Sequence, residues 1–249
     1  MTSEPVPSVG GMRRLPIICP YLLAIAVALI LSVILVPAVM AQQTRTLTAS
    51  EPDEGLTTVE VEGHVGKMQI LPSTSAGIQV RVEVKPSISD GRTRGNPQNV
   101  DLRSRRRGST WVVSLSGDYK DLEEAWTLEL PAHLRIEAKV GVGDMNVEGM
   151  RGGLKAKVGV GALKIDVPEG SINAESGVGK VTVKSATNSY GNVELRASVG
   201  SGSIRVDGRV IRQQNRPPGP GERITFTGSG RDQIQIRSGV GDAELTIGR

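Results

Sequence analysis

An all-β fold of stacked strand repeats, a β-solenoid or a pair of stacked sheets with rungs of about eighteen residues, follows from three features of this sequence. The phrases VGVG, VGVG and SGVG occupy residues 140–143, 158–161 and 176–179, so Gly141, Gly159 and Gly177 are eighteen residues apart, as are Gly143, Gly161 and Gly179. Around each phrase apolar residues alternate with polar ones. No segment after residue 41 has a helical period, apart from a turn around Tyr119–Ala125.

The alternation explains the glycines. In the first copy Leu134, Ile136, Ala138, Val140 and Val142 are apolar, with charged residues or glycine between them, which is the period of a strand with one buried face. The pattern then slips by one residue to Met145 and Val147. The second copy repeats the slip, Leu154 to Val160 and then Leu163, Ile165 and Val167; the third runs Ile172, Ala174, Ser176, Val178 and then Val181 and Val183. An uncorrected slip would turn the second strand inside out. The chain must therefore bend at the second glycine, which reaches positive φ without a Cβ penalty. The expected corner glycines are Gly143, Gly161 and Gly179, with Gly66 in a degenerate early copy and Gly202 and Gly241 in later ones. One such unit cannot bury its apolar face alone, whereas stacked neighbours can.

In chain order, residues 1–41 stand apart. Arg13 and Arg14 precede an uncharged apolar run from Leu15 to Ala41, expected to form a single N-terminal helix. Val39-Met40-Ala41 before Gln42 resembles a signal-peptide cleavage site, and Pro37 ends the helix just ahead of it. The run is also long enough to cross about 30 Å of hydrocarbon as a retained membrane anchor, although Pro16 and Pro20 confine the clean helix to residues 21–36. Both readings export the remainder to the periplasm, the cell surface or the outer face of the membrane, with membrane association through 15–41 if the anchor is kept.

Residues 42–130 read as an irregular β portion. VEVEGHVGKMQI places Val65, Gly66, Met68 and Ile70 where the first copy has Val142, Gly143, Met145 and Val147, and segments 78–84, 110–117 and 126–131 alternate as strands. DLRSRRRGST gathers Arg103, Arg105, Arg106 and Arg107, with Arg92 and Arg94 upstream. This cluster is a candidate contact for an anionic surface, lipid headgroups or acidic polysaccharide; the plain alternative is a solvated hairpin loop.

Residues 131–249 read as the regular repeat portion, continuous with what precedes it. VELRASVGSGSIRVDG and IQIRSGVGDAELTI extend the pattern, and the proline- and arginine-rich stretch 209–223 between them reads as a surface loop. The last repeat runs directly into Gly248-Arg249, which predicts an uncapped coil whose open strand edge favours self-association.

The stretch WTLELPAHLRIEAKVGVGDMNVEGMRGGLKAKVGVGALKIDV resembles the DUF4097 family of bacterial β-strand-repeat proteins, a group also labelled "putative adhesins". The resemblance covers roughly residues 55–249 and rests on a strand ending in Leu-Pro followed by alternating strands punctuated by glycine. It implies an exported, repetitive β fold and transfers no functional residues.

Composition and motifs narrow the chemistry. The only cysteine, Cys19, lies in the apolar segment, so the exported part has no disulfide and no thiolate site. Outside that segment basic residues exceed acidic ones by three (30 and 26 in the whole chain, less Arg13, Arg14 and Glu4), too even a balance to favour nucleic acid. Aromatics make up 2% of the chain, so Val, Ile and Leu must fill a core of thin layers. SGVGKVTV fails as a phosphate loop because Ala174 and Val181 stand where glycine and a hydroxyl are needed. GVGD at Asp144 and Asp242 fails as a calcium ladder because the equivalent positions read as Ala162, Lys180 and Ser203. No GxSxG turn occurs, and His64 and His133, without ligand-spaced partners, are expected at exposed positions. The outward acids Glu137, Asp144, Glu148 and Asp166 alternate with Lys139, Lys155, Lys157 and Lys164 as on a solvated surface. No catalytic, metal or cofactor residue is assigned. The expectation is a non-catalytic envelope scaffold, adhesin-like or interaction module, whose partner is a protein or an envelope polymer. A membrane-tethered envelope sensor and a polysaccharide-acting enzyme on a solenoid face are the alternatives.

Overall fold

The computed structural model describes residues 44–74, 77–211 and 220–248. The apolar segment 1–41, Cys19 and residues 212–219 of the insertion lie outside them. Among the described residues the chain is all-β, with no α-helix and one 3-10 turn at Pro97–Asn99, whose N-terminus the Asn96 side chain caps.

The first portion contains β1 (Arg45–Glu51), β2 (Thr58–Pro72), β3 (Ile78–Ser89), β4 (Arg92–Arg94), β5 (Val100–Arg107), β6 (Thr110–Gly117) and β7 (Leu122–Leu130). The regular portion contains β8 (Arg135–Glu148), β9 (Leu154–Val160), β10 (Leu163–Val167), β11 (Ile172–Val178) and β12 (Val181–Ser185). It continues with β13 (Tyr190–Val199), β14 (Gly202–Val206), β15 (Arg209–Ile211), β16 (Glu222–Thr227), β17 (Asp232–Val240) and β18 (Ala243–Ile247).

The eighteen-residue interval is the step from one rung to the next. Ala138 pairs with Ala156 and Ala156 with Ala174, all in parallel register. Each rung has two arms joined at a glycine corner: β2 and β8 bend within one strand, while β9–β10, β11–β12, β13–β14 and β17–β18 divide at the bend. First arms build one wall in the order β5, β6, β2, β8, β9, β11, β17, β13, β16. Second arms build the other in the order β1, β3, β7, β2, β8, β10, β12, β18, β14, β15. The walls are parts of one continuous, curled sheet.

The alternation puts one side of each arm inside. Val61, Ala138, Ala156, Ala174, Ile236 and Leu195 form one buried column, and Ile70, Val147, Ile165, Val183, Leu245 and Ile204 form another. Each large aliphatic side chain so buried contributes about 1.5–3 kcal/mol. Ser176 and Ser238 occupy interior positions that belong to Val140 and Val158 in earlier rungs. Their hydroxyls donate to the carbonyls of Gly161 (3.2 Å) and Gly179 (3.0 Å), which removes the penalty of burying them.

Spatial order departs from chain order at the end. The last rung, β17–β18, is inserted between β11–β12 and β13–β14, so both of its edges are paired. The open edge expected at the C-terminal repeat is therefore not there, nor does each coil simply rest on the next one in sequence. The displaced rung β13–β14 in turn carries antiparallel partners, β16 on one arm and β15 on the other, which become the outermost strands of the two walls.

Candidate functional site

The arginines that cluster in sequence separate in space. Among the described residues β5 pairs only with β6, and it is a strand, not the hairpin loop of the plain reading. Its even positions turn toward the core, from Val100 to partly buried Leu102, and Arg106 on that side donates to the carbonyls of Glu54 (2.7 Å) and Gly108 (3.1 Å). Arg103, Arg105 and Arg107 share the outer face. Arg92 and Arg94 lie on β4, which pairs only with the far end of β3, and Arg94 stands 3.8 Å from Asp90. Arginines on the edge strand of a wall repel an incoming strand, a sufficient structural reason for them.

The corner glycines are filled by backbone rather than ligand. At Gly161, with φ 138°, a β-carbon would overlap the carbonyl oxygen of Gly143 in the rung before. Gly66, Gly143, Gly179 and Gly241 repeat this arrangement, as expected. Gly202 does not. The register sets Val199 against Val240 and Gly202 against Ala243, so the corner of that rung is Gly200, with φ 143°. Ser198 holds the place that Gly239 has in the neighbouring rung. Between the columns Val65, Val142, Val160, Val178, Val240 and Val199 form a ridge, each about half exposed and packed on its equivalent in the next rung.

The remaining sequence candidates are also engaged in the scaffold. Asp144 accepts the Ala162 N–H at 3.0 Å, and Asp242 accepts the Ser201 N–H (3.0 Å) and hydroxyl (2.8 Å). Those two bonds, and more weakly Lys180, hold the Asp242 carboxyl below its ordinary range. Glu137 bonds Lys155 at 3.0 Å, and that contact, opposed by partial desolvation, likewise lowers its pKa; Lys139, held by Glu62 at 2.6 Å, is raised. His133 is exposed, as expected. His64 is not: it stacks on Tyr119, ring centroids 3.8 Å apart, and its Nδ1 lies 3.2 Å from Glu124 Oε1. Glu124 is buried and accepts the His64 backbone N–H (3.0 Å) and the Trp126 indole N–H (2.7 Å). At this corner of the stack β6 pairs β2 only through Glu62 and β7 only from Gly66, so the carboxylate supplies the acceptor a neighbouring rung would give.

Sequence reasoning missed a site at the opposite end of the first-arm wall. Across β11, β17, β13 and β16 runs a groove of about 550 Å³, lined by Asn173, Asn192, Gln233, Gln235, Thr225 and Thr227 among others. Arg135 marks its end on β8. Two residues further along three of these strands stand Arg237, Arg196 and Arg223, with Arg196 directly opposite both of the others. Neighbouring strands are about 4.8 Å apart, so the three guanidinium stems fall within about 10 Å. Like charges set directly opposite destabilise a sheet. Glu194 relieves one of them, at 3.1 Å from Arg223. Glu175, beside Arg237, is bonded to Lys157 at 3.1 Å. Arg196 and Arg237 are exposed and have no ion pair among the described residues. Positions 196, 223 and 237 share no local motif; only strand register aligns them.

No family model matches the chain, and no curated protein matches it. Its fold is shared with a solved structure described as a "putative cell adhesion protein" from Clostridium sporogenes ATCC 15579, with a TM-score of 0.52 and 14% identity over 82% of this chain and 100% of that one. A "putative adhesin" from Bacteroides fragilis NCTC 9343 aligns over 82% of this chain and 97% of its own at 13% identity, with a TM-score of 0.28. At 14% identity the first of these likenesses establishes fold alone.

Proposed function

We propose that the chain is an exported, non-catalytic binding module of the cell envelope, adhesin-like in use and a member of the β-strand-repeat group its sequence resembles. The observation that carries this reading is the outer face of the first-arm wall. There, charges are fixed rung to rung by Glu62–Lys139, Glu137–Lys155 and Lys157–Glu175 pairs at 2.6–3.1 Å, and the face leads into the groove. Exposed pairs of this kind add little stability. They hold side chains of both signs in one geometry, which suits recognition of an extended polymer or a protein partner. The fold shared with a protein described as a "putative cell adhesion protein" supports the same reading. A rigid stack whose glycine corners admit no side chain is a spacer and a platform in one.

The test is binding of the full chain to isolated cell envelopes, together with protease accessibility of the chain on intact cells. Retention on envelopes and cleavage from outside are expected. Release of new reducing ends from envelope polysaccharide would replace this reading with the enzyme, and a requirement for residues 1–41 in signalling to the cell interior would favour the tethered sensor.

A further inference from the structure

We infer that the groove and the arginine row beside it form a binding site for an acidic oligosaccharide, one whose sugars carry carboxylates; this rests on the envelope-binding reading and names its ligand. Three observations converge on that chemistry. Besides Arg135, Glu194 and several aliphatic side chains, the groove is lined by the neutral amides and hydroxyls of Asn173, Asn192, Gln233, Gln235, Thr225 and Thr227, which offer donors and acceptors in the mixture that sugar hydroxyls require. Arg237, Arg196 and Arg223 border it in a row, and guanidinium forks pair bidentately with carboxylates. Among the described residues Arg196 and Arg237 have no carboxylate partners, although the wall elsewhere neutralises its lysines rung by rung. A bound polyanion would relieve the repulsion that the fold leaves in place.

Several groups are already held for this task. Glu194 fixes Arg223 at 3.1 Å and lies 3.5 Å from the Gln235 amide. The Thr227 hydroxyl donates to the Asn192 side-chain oxygen at 3.2 Å, so the Asn192 carbonyl is engaged while its amide protons have no partner among the described residues. Preorganised donors lower the entropic cost of binding. Glu194 within the site argues against a bare anionic membrane as the ligand, since a lipid surface selects basic charge alone. The aromatic side chain lining the groove, Phe226, packs against the core and edge-on to Tyr190 at 5.6 Å, so no stacking platform is presented to nucleic-acid bases or to sugar rings, and the site acts through hydrogen bonds and charge.

The experiment measures binding of the full chain to polygalacturonate, to uncharged dextran and to phosphatidylglycerol vesicles. Polygalacturonate should bind, more weakly as salt rises, and dextran should not. The double variant Arg196→Gln/Arg237→Gln should lose at least about tenfold in affinity while melting no lower than the parent. Arg103→Gln/Arg105→Gln, which removes the same charge from the far edge of the wall, should change affinity by less than about twofold. Asn173→Ala keeps every charge and should weaken binding several-fold. Equal losses in the two arginine pairs, an unaffected Asn173→Ala, or binding to vesicles but not to polygalacturonate would each overturn the site. Envelope binding that survives Arg196→Gln/Arg237→Gln would overturn this site and leave the binding module standing, whereas a chain that binds no envelope at all would remove both.

Discussion

The carbonyl oxygen of Gly143 occupies the point where a β-carbon on Gly161 would have to sit, and the backbone at Gly161 has a φ of 138°. Both facts forbid a side chain there, and they are independent. Gly161→Ala should therefore destabilise the fold by roughly 3 kcal/mol or more. Gly108, with φ 63° and open space around it, carries only the conformational penalty, so Gly108→Ala should cost about 1 kcal/mol. Urea denaturation of both variants checks the contrast, and similar midpoints would show that the corner relaxes.

Gly200 and Gly202 separate the register of the structure from the register of the repeat phrase. A β-carbon on Gly200 would strike the backbone of Gly241 at positive φ; on Gly202 it would meet side chains, Leu195 closely and Glu222 at ordinary contact distance, at ordinary φ. Gly200→Ala should cost at least about 2 kcal/mol more than Gly202→Ala. Thermal melting of the two single variants decides between the alignments.

Glu124 holds the first corner of the stack closed. Glu124→Ala leaves the Trp126 indole N–H and the His64 backbone N–H without their acceptor in a buried place, which should cost about 2–4 kcal/mol. Hydrogen exchange at His64 and its neighbours should accelerate more than exchange in β17, which lies at the other end of the wall. Uniform acceleration would mean that the cap is not a local unit.

The Glu137–Lys155 contact makes one pH-dependent contribution with a definite sign. Glu137 has its pKa lowered in the folded chain, chiefly by the Lys155 hydrogen bond. Its contribution to stability is thus fully present above the unfolded glutamate value of about 4.3 and is lost as pH falls through the lowered folded value. Carbon-13 titration should place the Glu137 midpoint below the ordinary range, and Lys155→Met should return it upward. An unchanged midpoint in Lys155→Met would transfer the effect to Arg135, 3.5 Å away.

The repeat was legible because its cause is local. Residues such as Ala138, Val140 and Met145 record the alternation and the slip, and a backbone that crowds its neighbour at every rung can hold only glycine, so the corner is written in the chain itself. His64 was misjudged because its partner, Glu124, is sixty residues away, and a buried carboxylate looks in sequence like any surface glutamate. The arginines of 103–107 drew attention by adjacency, yet strand alternation sends neighbours to opposite faces.

By itself, then, the sequence determined the all-β class, the eighteen-residue rung, the composition of the core and most of the glycine corners, all consequences of periodicity within a single rung. Tertiary structure alone decided the order of the rungs, with β17–β18 slipped between β11–β12 and β13–β14, and so decided which arginines meet. Stacked rungs are near-equivalent partners for one another, so pairing depends on which edges remain open as the chain returns, and no local pattern encodes that choice. The row of Arg237, Arg196 and Arg223, and the groove beside it, exist only because of it.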